Sequence, residues 1–201
     1  MDALDKIFKA YDIRGIYPTE INEDIAHRIG RGTAKFLKAE KIVIGRDNRL
    51  SSDSLFKALC DGIQDEGVDI LDIGITTTPI FYLVVAKYGY DGGIMISASH
   101  NPREYNGFKI VKSGSAPVGE ESGLQEIKKI VKKLKPISLK NKIKRGKLEQ
   151  RDVIKHYLKN ILRFVDIESI NPLKVVVDTA NGAAGLVVKE LDKILPITMI
   201  H

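Results

Sequence analysis

Tryptophan is missing from this 201-residue chain, and cysteine occurs once, as Cys60. A single thiol rules out an internal disulfide and any zinc site built from several cysteines. Its setting, LFKALCDGI, places Leu55, Leu59 and Ile63 on one helical face beside it, the pattern of a small core residue. Histidines are few, at positions 27, 100, 156 and 201, and they match no metal-ligand spacing, so no structural metal is expected from this chain alone. No run approaches the ~18 consecutive apolar residues of a membrane helix. The opening MDALDKIFKAYDIRG has two Asp in its first five residues, and Lys6 and Lys9 interrupt its apolar positions. It therefore has neither the basic start nor the unbroken apolar core of a secretory signal, and the expected location is the cytoplasm, with no membrane partner.

Acidic residues are absent between Ile127 and Leu148, where ten Lys or Arg occur. The rest of the chain carries 22 basic and 26 acidic residues and is net −4, although the whole is +6. Such a tract can be the footprint of a nucleic-acid binder. Here Leu124, Ile127, Ile130, Val131 and Leu134 recur at helical spacing, which turns the lysines to the solvated face of an amphipathic helix. No aromatics are interleaved for base stacking, and no nucleic-acid partner is expected.

What the chain does have is an alternation of strand and helix signals. Asn22 caps a helix to Leu37, KIVIG (41–45) is a buried strand, and Ser51 or Ser52 opens a helix to about Glu66 with Gly67 as its stop. VDILDIG (68–74) is a strand, and Thr77 or Thr78 with Pro79 opens a helix through Lys87. DGGIMIS and FKIVK (108–112) read as further strands, followed by a helix over 120–134. This pattern predicts an α/β fold, a mixed, mostly parallel sheet sandwiched by helices. Residues 1–136 form the first domain on this reading, and 137–150 a basic connector. Residues 151–201 hold an Asp152-capped helix, the strand LKVVVD, the turn TANGAAG, a helix and the strand PITMIH. About 30 residues of β-α-β cannot cover both faces of a sheet, so the second α/β domain is expected to be incomplete.

Loops that leave the carboxyl ends of parallel strands are where ligands gather, and one such loop is unusual. ISASHNPREYNGFK ends a strand in two serines, a His, an Asn and a Pro, then supplies Gly107 and Lys109. A serine hydroxyl is a poor nucleophile unless a base, a metal or a pre-loaded phosphate changes its chemistry. If Ser99 carries phosphate, roughly −1.5 to −2 charges must be offset. His100, Asn101 and Lys109 are suitable partners, although SASHNP is also an ordinary turn composition. KAYDIRG adds Tyr11 and Arg14, and VIGRDNRLSS adds Arg46, Asp47, Arg49 and Ser51. Those arginines suit either phosphate oxygens or a plain Arg–Asp surface pair. TANGAAG lacks the Lys and the spacing of a P-loop and reads as a structural turn.

YDIRG, GRDNRLSS, DIGITTTP, SASHNP followed by YNGFK, and VVVDTANGAAG together resemble the α-D-phosphohexomutases, in particular the phosphomannomutase/phosphoglucomutase branch. Phosphoglucosamine mutases share SASHNP but tend to follow it with a DNGIK-like segment, so YNGFK tilts toward the hexose enzymes. The resemblance implies that Ser99 is a phosphoserine moving phosphate between C1 and C6 of mannose or glucose phosphate through a hexose 1,6-bisphosphate. His100 and Lys109 then serve proton transfer and charge stabilisation, while Tyr11, Arg14, Asn101 and Arg46 bind substrate and phosphate. It also implies Mg²⁺, held by the serine phosphate and three aspartates of a DGDGDR-type loop that these residues do not contain, Asp178 being no substitute. Hexose phosphates are the expected partners, with the missing C-terminal domains or self-association completing the site. The alternatives are a catalytically incomplete fragment, a non-catalytic phosphosugar-binding module, and a phosphoglucosamine mutase.

Overall fold

Every second residue of the central strands is turned to an opposite helical layer. The computed structural model describes residues 3–134 and 144–200. A short helix α1 (Ala3–Ile7) leads into β1 (Ile13–Ile16) and α2 (Glu23–Leu37). Two βα steps and a further strand follow in β2 (Lys41–Arg46), α3 (Ser52–Asp65), β3 (Asp69–Ile75), α4 (Thr78–Lys87) and β4 (Gly92–Ile96). Then come β5 (Tyr105–Lys112), α5 (Gln125–Lys133), β6 (Leu148–Gln150), α6 (Ile154–Ile161), β7 (Lys174–Val176), α7 (Ala184–Leu191) and β8 (Thr198–Ile200).

The six-stranded sheet runs β1-β5-β4-β2-β3-β6. The pairs β4–β2, β2–β3 and β3–β6 are parallel, whereas β5 is antiparallel to both β4 and β1. The expected mixed, mostly parallel sheet is therefore present. Ile42 and Ile44 of β2 face one core with α1, α2, α3 and α5, and Val43 faces the other with Ile80, Phe81 and Val84 of α4. Ile29, Ile42, Leu59 and Ile63 are fully buried, each contributing about 1.5–3 kcal/mol. Cys60 lies in the same core.

Local signals act as their chemistry dictates. The Asn22 side chain accepts from the Ile25 amide at 3.1 Å, and Asp152 does the same for Ile154 at 2.9 Å. Three expectations need correction. The strand expected at 108–112 begins at Tyr105, because β5 pairs with β1 from its first residue. The helix expected over 120–134 is α-helical only from Gln125; a π-type turn at Glu120–Leu124 precedes it, broken at Gly123 with φ 148°. There the Phe36 ring lies 2.2 Å from where a β-carbon would stand, so the backbone approaches as only glycine permits. The helix expected from Val153 to Val165 is α-helical only as far as Ile161 and ends in a 3₁₀ turn.

Residues 135–143, which include the first part of the basic connector, lie outside the described residues. Leu148–Gln150, from its far end, pairs with β3 at the sheet edge. Lys128 and Lys132 of the basic helix both reach Asp5, at 2.6 and 2.9 Å. Beyond β6, Val153 joins the core on the α4 side, with Ile154, Tyr157 and Val187 packed against it. Strands β7 and β8 form a separate parallel pair. No helix among the described residues is long and apolar enough to cross a membrane.

Candidate active site

Where β4 ends, the chain stays buried for Ser97 and Ala98 and then turns outward. Ser99 adopts the left-handed conformation, φ 56°, which costs a non-glycine residue about 1–2 kcal/mol. Short polar contacts hold it there. The Ser97 hydroxyl accepts from the Ser99 amide at 2.9 Å, and both the backbone and side-chain amides of Asn101 donate to the Ala98 carbonyl, at 3.1 and 2.9 Å. Ser99 and His100 are exposed, and Ser99 Oγ lies 3.3 Å from His100 Nδ1.

Behind the loop stands the GRDNRLSS segment that leaves β2. Arg49 donates to the carbonyls of Ser99 (3.0 Å), Asn101 (2.6 Å), Pro102 (2.6 Å) and Tyr105 (3.0 Å), and to the Asp47 carboxylate (3.2 Å). Asp47 in turn accepts from the Ser52 hydroxyl at 2.6 Å. Asn106, fully buried, donates to Ser51 and Ser52 at 2.8 and 3.1 Å. The segment is thus the scaffold of the serine loop. Arg46 faces elsewhere: it pairs with Asp53 at 2.7 Å and Asp72 at 3.0 Å, and its guanidinium lies 4.2 Å from the Phe56 ring centre.

Two clefts flank the loop. One, of about 480 Å³, is lined by Ser99, Asn101, Arg49, Arg103, the Thr76–Thr78 turn and Asn181–Ala183 of the TANGAAG turn. The Asn48 side-chain amide donates to the Asn181 carbonyl across it. The other, of about 660 Å³, brings Tyr11, Arg14, Asn101 and Lys109 together. Its floor follows from register. Arg14 of β1 stands opposite Gly107 of β5, and a β-carbon on Gly107 would meet the Ile13 carbonyl at 2.3 Å. Extending that register one step sets Asp12 opposite Lys109, with Arg14 on the same face. Asp12 Oδ2 accepts from Arg14 at 2.5 Å and from Lys109 at 3.0 Å, and only 6% of the Asp12 side chain is exposed. Tyr11, at 84% exposure, projects from the rim.

Of the residues picked from sequence, Ser99 and Asn101 line the first cleft, Tyr11, Arg14, Asn101 and Lys109 the second, and His100 adjoins Ser99; Arg46 lines neither. Asp12, Ser97, Arg103 and Asn106 had no role assigned from sequence, although each stands inside a quoted motif. The aspartates near the loop are already engaged, Asp12 by two cations and Asp47 by Arg49 and Ser52. Among the described residues no group of three or more His, Cys, Asp or Glu is placed to hold a metal ion. The described side chains alone therefore do not make up a Mg²⁺ site.

The fold and loop define a three-layer α/β domain that presents an exposed serine at the carboxyl ends of its strands. The model of the family described as phosphoglucomutase/phosphomannomutase, alpha/beta/alpha domain I, matches residues 5–137. A phosphomannomutase of Escherichia coli is 45% identical over 189 residues, covering 92% of this chain and 41% of the relative. One from Klebsiella pneumoniae is 46% identical over 153 residues, 75% of this chain and 96% of that protein. The crystal structure of a phosphoglucomutase/phosphomannomutase family protein from Burkholderia thailandensis superposes with a TM-score of 0.80 at 34% identity, over 96% of this chain and 43% of its own. The chain belongs to the phosphoglucomutase/phosphomannomutase family. It spans about two fifths of the length of the Escherichia coli relative.

Proposed function

We propose that this chain supplies the phosphate-carrying serine of a phosphohexomutase that moves phosphate between C1 and C6 of mannose or glucose phosphate. The observation that carries this reading is Ser99 itself, exposed in a left-handed turn between two clefts lined by Arg and Lys side chains. In the forward step a hydroxyl oxygen of the hexose 1- or 6-phosphate bonds to the phosphorus on Ser99 as the Oγ–P bond breaks. The attacking hydroxyl gives up its proton, Ser99 regains one, and a hexose 1,6-bisphosphate is formed. Return of the other phosphate to Ser99 completes the isomerisation. His100, 3.3 Å from Oγ, is within reach to exchange the serine proton. Lys109 and Arg14 offset charge on the transferring group, the main requirement of phosphoryl transfer. Any Mg²⁺ would meet this chain through the phosphate on Ser99, its other ligands lying outside these residues.

The test is incubation of the chain with glucose or mannose 1,6-bisphosphate and Mg²⁺, followed by intact-mass and peptide mass spectrometry. One phosphate per chain on Ser99, absent from Ser99→Ala, is expected. A coupled assay with mannose 1-phosphate and glucose 1-phosphate should lose all turnover in Ser99→Ala of the whole protein. A serine left unphosphorylated in the whole protein after bisphosphate treatment would leave only a binding module and end the mutase reading.

A further inference from the structure

We infer that Arg49 is the positioning residue of the serine loop, setting how Ser99 is presented while giving no hydrogen bond to substrate. The inference rests on the reading that Ser99 carries phosphate. A guanidinium has five N–H donors in a fixed planar fork. In Arg49 all five have protein acceptors: Nε on Asp47, Nη1 on Pro102 and Tyr105, Nη2 on Ser99 and Asn101. None is left for a phosphate, which separates Arg49 from the cations of the other cleft.

Four of the acceptors are backbone carbonyls of one irregular loop. Converging carbonyl dipoles repel one another unless a cation sits among them, and each contact to Arg49 is a charge-assisted bond. The arrangement also fixes the other side of each peptide. In a trans peptide the N–H points opposite to the C=O. Drawing the Ser99 and Pro102 carbonyls onto Arg49 therefore turns the amides of His100 and Arg103 away from it. Neither amide has a protein acceptor among the described residues. Arg49 thus holds Ser99 in its left-handed turn and leaves two backbone donors of the same loop without a protein acceptor, groups available to an anion on Ser99.

Lysine keeps the charge but has three donors around one point, and it cannot span the same five acceptors. The test compares the 201-residue chain with Arg49→Lys in two measurements. Hydrogen exchange at the amides of Asn101 and Tyr105, bonded within the loop to Ala98 and Pro102, is expected to accelerate by about tenfold or more. Amides of β2 and β4 should keep their protection. Phosphoryl transfer from glucose 1,6-bisphosphate to Ser99 is expected to slow by about 100-fold, the effect of misplacing a reacting group by about 1 Å. The milder Asp47→Asn, which retains Arg49 and weakens one contact, should show the same pattern at smaller amplitude. Unchanged loop exchange, an equal loss of protection across β2 and β4, or full-rate phosphorylation of Arg49→Lys would each overturn the inference. If the whole protein as well as the parent chain takes up no phosphate, the phosphoserine reading fails by itself, and the exchange measurement still decides whether Arg49 orders the loop.

Discussion

Asp12 joins two cations, Arg14 and Lys109, through one carboxylate oxygen. Because that oxygen is nearly out of water, its pairing with Arg14 and Lys109 is worth more than a surface ion pair, and removing one partner leaves charge uncompensated. Asp12→Asn is expected to destabilise the fold by about 1–3 kcal/mol, read from urea unfolding, and to slow phosphorylation of Ser99. Wild-type stability in that variant would show the tether to be dispensable. Asp12 was visible in YDIRG, but its task was not, since it depends on a strand register nearly a hundred residues away in sequence. The two arginines of GRDNR show the same limit. The β2–β3 register shifts between Ile44 and Arg46, and that irregularity sends Arg46 to Asp72 while Arg49 turns under the serine loop. Residue types left phosphate binding and Arg–Asp pairing both open for the segment and did not say which arginine faces which way.

The strands and helices of the sheet were legible because burial imposes period and length. KIVIG, VDILDIG and GGIMI are apolar runs between turn residues, and each became a strand covered on both faces. β6 was not legible. It is three residues long and exposed at every one, so only its pairing with β3 defines it. The late start of α5 escaped for a different reason, as the apolar spacing continues through Gly123 while the backbone does not. Gly123→Ala would combine a left-handed-side φ of 148° with a clash against Phe36. About 3 kcal/mol of destabilisation is expected from the strain and overpacking together, measured by denaturant unfolding. A melting curve indistinguishable from the parent would mean that α5 can re-seat on α2 at no cost.

Across the whole molecule, the N-terminal turn is tied to the basic helix by charge. Lys128 and Lys132 hydrogen-bond to Asp5 and lower its pKa from 3.8 to about 2. A carboxylate with a depressed folded-state pKa contributes stability that is complete above its ordinary value and is lost as pH falls toward the folded one. Asp5→Asn should therefore melt below the parent at pH 5 and above, and the difference should shrink between about pH 4 and pH 2. The gap should also narrow in high salt, which screens partly exposed pairs. An unchanging gap across that pH range would remove Asp5 as its cause. The basic tract drew attention as a charge run; its folded role at Lys128 and Lys132 required α1 to lie alongside, which no local pattern announces.

The β4–β5 hairpin holds Ser99 at its connection and Lys109 in its second strand, and β1 with Arg14 is laced to the same hairpin. Ser99, Arg14, Lys109 and the 660 Å³ cleft are therefore carried by one hydrogen-bonded piece of sheet. The opposite cleft takes part of its wall from the TANGAAG turn, which belongs to the segment beyond β6 and bridges to Asn48 through its Asn181 carbonyl. The serine thus sits on a wall held by the sheet and faces a turn supplied by a later part of the chain. On the mutase reading proposed above, a sugar turning end for end beside Ser99 would do so between a wall held by the sheet and one supplied by that later turn.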